Sequence, residues 1–184
     1  MNIFVLDYDP VRASKMHCDS HCNKMIIESA QMLSTASHYA VGKLVFRPNP
    51  ATGKRGYLIR GTLSRIYAVD KKHVFHPYTQ WSLASRKSFE WLVELAFALH
   101  DEKVYRYGSG NKSIRVVERC AKYAKYLDEN PMPHFPLAMP EQYHIGNAVE
   151  SYREFYINDK AHLLTYTKRK PPKWLVPHFN WVDK

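Results

Sequence analysis

From Trp81 to about Tyr107 the chain carries its strongest constraint. Trp81, Ala84, Ser88, Trp91, Leu92, Leu95, Ala96 and Leu99 recur at intervals of three and four, the spacing that puts side chains on one face of an α-helix. Gly108 can terminate that helix, and His76-Pro77 breaks whatever precedes it. A long helix with one apolar face must be covered by other elements, so the run points to a helical bundle.

A second helical pattern occupies residues 21–40. On a helical wheel, Cys22, Met25, Ile26, Ser29, Met32, Leu33, Ala36 and Ala40 share an arc of roughly 120°, which reads as a core face. His21, Lys24, Glu28, Gln31, Thr35 and His38 share another arc of about 100°. Ala30, Ser34 and Ser37 are small and lie with Ile27 on the third side, where a second element can approach closely. The polar arc is therefore either the wall of a cleft or an ordinary solvated face, in which Lys24 and Glu28 form a plain i,i+4 pair. Two histidines, a glutamine and a threonine are unusual on a solvated face, which favours the cleft.

The remaining segments read more simply. Ile3 to Leu6 is short, apolar and β-branched, the pattern of a buried strand. Asp9-Pro10 looks like an N-cap with proline at the first helical position, opening a short helix to about Cys18. Residues 42–61 place two apolar runs around a turn-rich centre, which predicts a small β-hairpin. A further helix is expected from Ser113 to about Leu127, a proline-rich loop over 130–140, and a last helix capped by Asn147 and running to about Leu164. No repeat or long linker divides the chain. The expectation is a mainly α, single-domain helical bundle over 1–184, with a short N-terminal strand and a hairpin at about 42–61.

Charge narrows the partners. The formal net charge is +10, which favours polyanions, meaning nucleic acid or phosphorylated ligands, or else serves as a basic surface kept for solubility. No acidic residue lies between Glu28 and Asp70, while Lys43, Arg47, Lys54, Arg55, Arg60 and Arg65 all do. Lys168, Arg169, Lys170 and Lys173 are interleaved with Tyr166 and Trp174 near the other end. Two such segments can converge on one phosphate backbone, so nucleic acid, DNA in the first instance, is the expected partner. No stretch approaches membrane-spanning length. An odd count of 3 cysteines and no signal peptide suggest a reducing cytoplasm with free thiols.

Several chemistries are disfavoured. Cys18, His21 and Cys22 can face a common point on one helix, with His17 beside them. A structural zinc site, however, wants four ligands in paired spacing, and Cys120 has no cysteine near it. No metal or other cofactor is expected. A cysteine nucleophile with a histidine base lacks any sign of activation beyond proximity. No phosphate-binding GxxxxGK loop, GxGxxG, HExxH or GxSxG occurs.

A second constellation lies at 76–108. His76, Trp81 and Arg106 are its chemically distinctive members, as substrate-binding candidates together with Gln31. Arg106 near a helix end can instead satisfy terminal carbonyls, and Trp81 can belong to the core. The order of KMIIESAQMLS, then HPYTQW, then a long helix closing in RYG, then YREFYINDKAH resembles a group of phage-type proteins of unassigned activity. It is more distantly similar to the pyrimidine-dimer DNA glycosylases of the phage endonuclease V type, which are small, basic, mostly helical, single-domain enzymes. That resemblance implies a catalytic glutamate at Glu28 with His21 upstream of it. It pairs His76, Arg106 and Gly108 with the ends of the family's long helix. It also pairs Tyr152, Phe155, Tyr156 and Lys160 with its aromatic C-terminal stretch.

The sequence departs from that family at its amine. The family uses the α-amine exposed when Met is removed before a small residue, and here Asn2 follows Met1. The Met1 amine or a lysine such as Lys24 would have to serve, or the lyase step is absent. The resemblance implies an extruded nucleotide, attack of an amine on the sugar C1′, and Glu28 moving protons. The expected function is thus nucleic-acid processing, by a DNA glycosylase or lyase acting on a modified or damaged base, in a host cytoplasm if phage-encoded. Two alternatives stand beside it: a non-catalytic nucleic-acid-binding or host-takeover protein, and an enzyme acting on a small nucleotide or modified base.

Overall fold

Asp9 and Pro10 open the first helix as their chemistry dictates. The Asp9 carboxylate accepts from the Arg12 amide at 2.7 Å, and proline occupies the first turn of α1 (Pro10–Met16). The computed structural model describes residues 3–48, 55–59, 63–69 and 71–178, with 45–48, 55–59 and 71 as backbone alone. After α1 come α2 (Asp19–Ala40), strands β1 (Leu44–Pro48) and β2 (Arg55–Ile59), and α3 (Lys71–Val74). They are followed by α4 (Pro77–Ala84), α5 (Arg86–Tyr107), α6 (Ile114–Ala121) and α7 (Ala148–Asn158). β1 and β2 pair antiparallel, Leu44 opposite Ile59 and Pro48 opposite Arg55. The chain is mainly helical, and no helix among the described residues is long and apolar enough to cross a membrane.

The core forms between α2 and α5, with α1, α4 and α6 packed around them. Cys22, Met25, Ile26, Met32, Leu33 and Ala36 of α2 are buried, as are Phe89, Leu92, Leu95 and Leu99 of α5. Ala30, Ser34 and Ser37 are buried as well, so α2 is covered on two sides. The Ser34 and Ser37 hydroxyls donate to the carbonyls one turn back, at 2.6 and 2.7 Å, which lets them sit in an apolar interior.

Four expectations need correction. Residues 3–6 are buried but form no strand among the described residues. They thread between α2 and α7, where the Leu6 carbonyl accepts from Arg153 Nε at 3.0 Å rather than from a neighbouring strand. A short apolar β-branched run looks the same in either setting. The helix expected from Trp81 to Tyr107 is broken at Ser85, whose backbone is extended and whose hydroxyl caps α5 by accepting from the Ser88 amide. Trp81 keeps the periodic spacing by coincidence, one helix earlier. The helix expected over 113–127 stops at Ala121, followed by a 3-10 turn at Ala124–Tyr126, and α7 ends at Asn158 instead of about Leu164. At the far end of α5, Gly108 adopts φ +69 and donates to the Val104 carbonyl, a left-handed cap that suits glycine.

The chain after α7 is fastened to the N-terminal half of α2. Asp19 accepts from the Thr167 amide and hydroxyl, both at 2.9 Å, and from Arg106 Nη1 at 2.9 Å. Arg106 is fully buried, bonds Glu102 at 2.7 Å, and donates to the His17 and Lys15 carbonyls at the end of α1. Arg169 closes the network with two 2.8 Å bonds to Glu102 and lies over the Tyr105 ring. Burial raises the Asp19 and Glu102 carboxyls. The Thr167 amide and Arg106 outweigh that at Asp19, and Arg169 and Arg106 outweigh it at Glu102, so both sit below their ordinary values.

Candidate active site

The first three turns of α2 carry His21, Lys24, Met25 and Glu28 at i, i+3, i+4 and i+7, one continuous face. That face forms one wall of a cavity of about 260 Å³. Phe4 from the N-terminal segment and Phe155 from α7 line it too, with Ala138, Met139 and Pro140 from the proline-rich loop. Lys160 and Leu163 complete it from beyond α7. Segments more than a hundred residues apart thus bring one carboxylate, two ammonium groups and an imidazole to a single hollow.

The aromatic floor is ordered as a stack. The Phe4 ring lies 4.5 Å from His21 and 6.0 Å from Phe155, near-parallel to both. Lys160 Nζ sits 4.7 Å over Phe155 and pairs with Asp159 at 2.6 Å. This packed aromatic layer backs the cavity, and the polar groups at its rim can fix the orientation of a ligand.

Three α2 groups supply the chemistry. Glu28 is buried, and its Oε1 lies 3.7 Å from Lys24 Nζ, which is largely exposed. A carboxylate and an ammonium at that separation can exchange a proton with modest motion. His21 is buried, and its Nδ1 lies 2.7 Å from the Tyr156 hydroxyl. Burial first, then electrostatic opposition from His17, Lys24, Lys160 and His162, pushes its pKa down to about 3. The ring is therefore held in its neutral form near pH 7.

The cysteines do not join this site. The Cys22 thiol points into the core and donates to the Leu99 carbonyl at 3.4 Å, and burial pushes its pKa up to about 12. Cys18 Sγ bonds Ser20 and Tyr156 instead. Among the described residues no group of three metal-ligating side chains gathers.

The other expected site residues lie elsewhere. Gln31 is on α2 but does not line the cavity. The His76 ring caps α4, its Nδ1 accepting from the Tyr78 amide at 3.2 Å. Trp81 is a core residue that donates to the Pro133 carbonyl and stacks on Phe135 at 4.8 Å. Arg106 is consumed in the buried network described above, serving α1's terminal carbonyls rather than those of its own helix.

Of the expected phosphate-holding residues, Lys43 is half-buried and Arg65 is exposed. Arg47 and Arg55 lie on the paired strands, and Lys54 and Arg60 lie outside the described residues. Lys170 is exposed, and Lys168 donates to the Tyr105 carbonyl at 3.2 Å. Arg169 already faces Glu102.

Sequence reasoning on the site missed Phe4 and the Ala138–Pro140 loop, and reached Tyr156 only through the family resemblance. Phe4 reads as strand interior, and nothing in the loop's composition points to α2. Lys160 and Phe155 carried a signal only through the family resemblance. No protein-family model, curated protein or solved structure matches the chain.

Proposed function

We propose that this protein processes nucleic acid as a DNA glycosylase or glycosylase/lyase acting on a modified or damaged base. One observation carries the reading: Lys24 and Glu28 stand 3.7 Å apart on the wall of a small cavity that Phe4, Met139, Pro140 and Phe155 also line. An extruded nucleotide would place its base in that cavity. Glu28 takes a proton from the Lys24 ammonium, freeing the amine's electron pair. The amine attacks C1′ as the C1′–base bond breaks, and the base departs with the bonding pair and a proton delivered by Glu28. A proton then passes from the C1′-bound nitrogen to O4′ as the C1′–O4′ bond opens, which leaves a 4′-hydroxyl and a protonated imine between Lys24 and the sugar. The basic β1–β2 segment, read as a hairpin wing, and Lys168 with Lys170 hold the flanking phosphates. Three unpaired cysteines suit a reducing cytoplasm.

A reading as a small-nucleotide or modified-base enzyme gains from one observation. Arg169, expected on a phosphate backbone, is already neutralised by Glu102. A non-catalytic DNA-binding protein would use the same basic surface without the cavity.

Borohydride reduction in the presence of duplexes carrying abasic sites or modified bases separates these readings. The glycosylase reading expects a covalent protein–DNA adduct that Lys24→Ala abolishes and Glu28→Gln slows by about a hundredfold or more. No adduct across the panel, with duplex binding intact, overturns it. Thermal stabilisation by free nucleotides in that same protein would point to the small-molecule enzyme.

A further inference from the structure

Tyr156 has no counterpart among the groups that do chemistry in the scheme above, yet it touches His21 directly. Its hydroxyl carries one proton and two lone pairs. The Cys18 backbone amide can only donate, and it occupies one lone pair at 3.0 Å. The single proton then has two acceptors in range: His21 Nδ1 at 2.7 Å and Cys18 Sγ at 3.3 Å. An imidazole nitrogen is the stronger acceptor and the closer one. Cys18 Sγ has Ser20 Oγ as a further partner at 3.3 Å. With Nδ1 accepting, the neutral ring carries its own proton on Nε2.

The rest of the surroundings hold that state. Phe4 stacks on the imidazole face and limits its rotation. The charged and titratable groups around the ring are His17 from the end of α1, Lys24 and Glu28 from α2, Tyr156 from α7, and Lys160 and His162 beyond it. Apart from Glu28 each of them is either cationic, able to become so, or a hydroxyl, so a second proton on His21 is opposed from three segments. Nε2 has no hydrogen-bond partner among the described residues, and the ring lines the cavity.

We infer that Tyr156 is a positioning residue that locks His21 as a neutral Nε2–H donor toward the cavity, so that the ligand presents a hydrogen-bond acceptor to His21 while Glu28 handles its protons. A base ring nitrogen, a carbonyl or a sugar oxygen meets that requirement. A protonated amine placed against His21 does not. His21 in this role orients the substrate and is not itself a proton shuttle. The inference rests on the reading of the cavity as a base-binding site, but its structural half stands without DNA.

Long-range ¹H–¹⁵N correlation spectra of the histidine-labelled full chain test it. His17 supplies an internal contrast, because its Nδ1 faces the Ala13 carbonyl at 2.8 Å and must donate, giving the opposite tautomer. The expected result is one ring in the Nε2–H form that disappears in His21→Gln and does not titrate between pH 8 and pH 5. In Tyr156→Phe that ring shifts toward Nδ1–H or a mixture. An Nδ1–H or titrating His21 in the unmodified protein overturns the inference even if Tyr156→Phe fails to fold. So does an Nε2–H ring left unchanged by Tyr156→Phe. The correct tautomer without any trapped DNA adduct would sink the glycosylase reading alone.

Discussion

Two clusters of charged side chains meet near the start of α2, and they differ in how tightly their ion pairs are drawn together. The network of Asp19, Glu102, Arg106 and Arg169 sets two carboxylates against two guanidinium groups through bonds of 2.7–2.9 Å. The spare donors of Arg106 end on the His17 and Lys15 carbonyls. The cavity cluster of His21, Lys24, Glu28 and Lys160 is looser: its α2 ion pair is 3.7 Å long, and the imidazole keeps one nitrogen for something else. A saturated cluster holds the fold, because every partner is already inside the protein. A looser one beside a hollow is where chemistry can begin. Arginine alone is therefore a poor guide to function in this chain, and the state of its partners decides.

Breaking the saturated cluster should have the largest effect on folding. Arg106→Ala leaves Glu102 and Asp19 without their buried cation and is expected to destabilise the protein by about 3–5 kcal/mol, read by urea denaturation. Acid should act next. Burial pushes His17 down to about 4 and His21 to about 3, so both are neutral in the folded chain while the unfolded chain protonates them near 6.5. The unfolded state then binds more protons, and stability falls as pH drops from about 6.5 toward 4, by about 1.4 kcal/mol per pH unit for each histidine. Asp19 and Glu102, held below their ordinary values of 3.8 and 4.5, add stability that is present above those values and is lost as pH falls through their lowered ones. Denaturation midpoints measured from pH 7 to pH 3 should show both phases.

Smaller effects sharpen the contrast. Arg169→Met removes a partly exposed partner of Glu102 while Arg106 remains, and should cost about 1 kcal/mol with little change in duplex affinity. Glu28→Gln keeps the side chain's size and hydrogen-bonding capacity and should change stability less than Arg106→Ala. Its effect should instead appear in activity. If Glu28→Gln unfolds the protein and Arg106→Ala does not, the assignment of roles to the two clusters is reversed.

The fold was legible wherever local periodicity sets it. The core face of α2 and its small-residue side follow from spacing, and both are buried. His21, Lys24 and Glu28 could be placed on one stripe because i+3, i+4 and i+7 positions must coincide. The stripe's continuation could not be followed so far. Thr35 and His38 are buried, with His38 Nε2 3.2 Å from the Tyr67 carbonyl, since a distant segment covers that half and leaves the other open. The break at Ser85 escaped notice because Trp81 and Ala84 keep helical spacing across it. Phe4, Tyr156, Met139 and Lys160 reach the site only through tertiary packing, which no local pattern encodes. Arg106 could be read either way from sequence, and only its buried partners decide.

The most direct measurement is to locate the trapped adduct. After borohydride reduction with a duplex carrying an abasic site, the protein is digested and the peptides are weighed by mass spectrometry. A reaction site built on α2 predicts the sugar remnant on the peptide containing Lys24, and its absence from Lys24→Ala. A remnant carried only by lysines outside the cavity, such as Lys168 or Lys170, would contradict it.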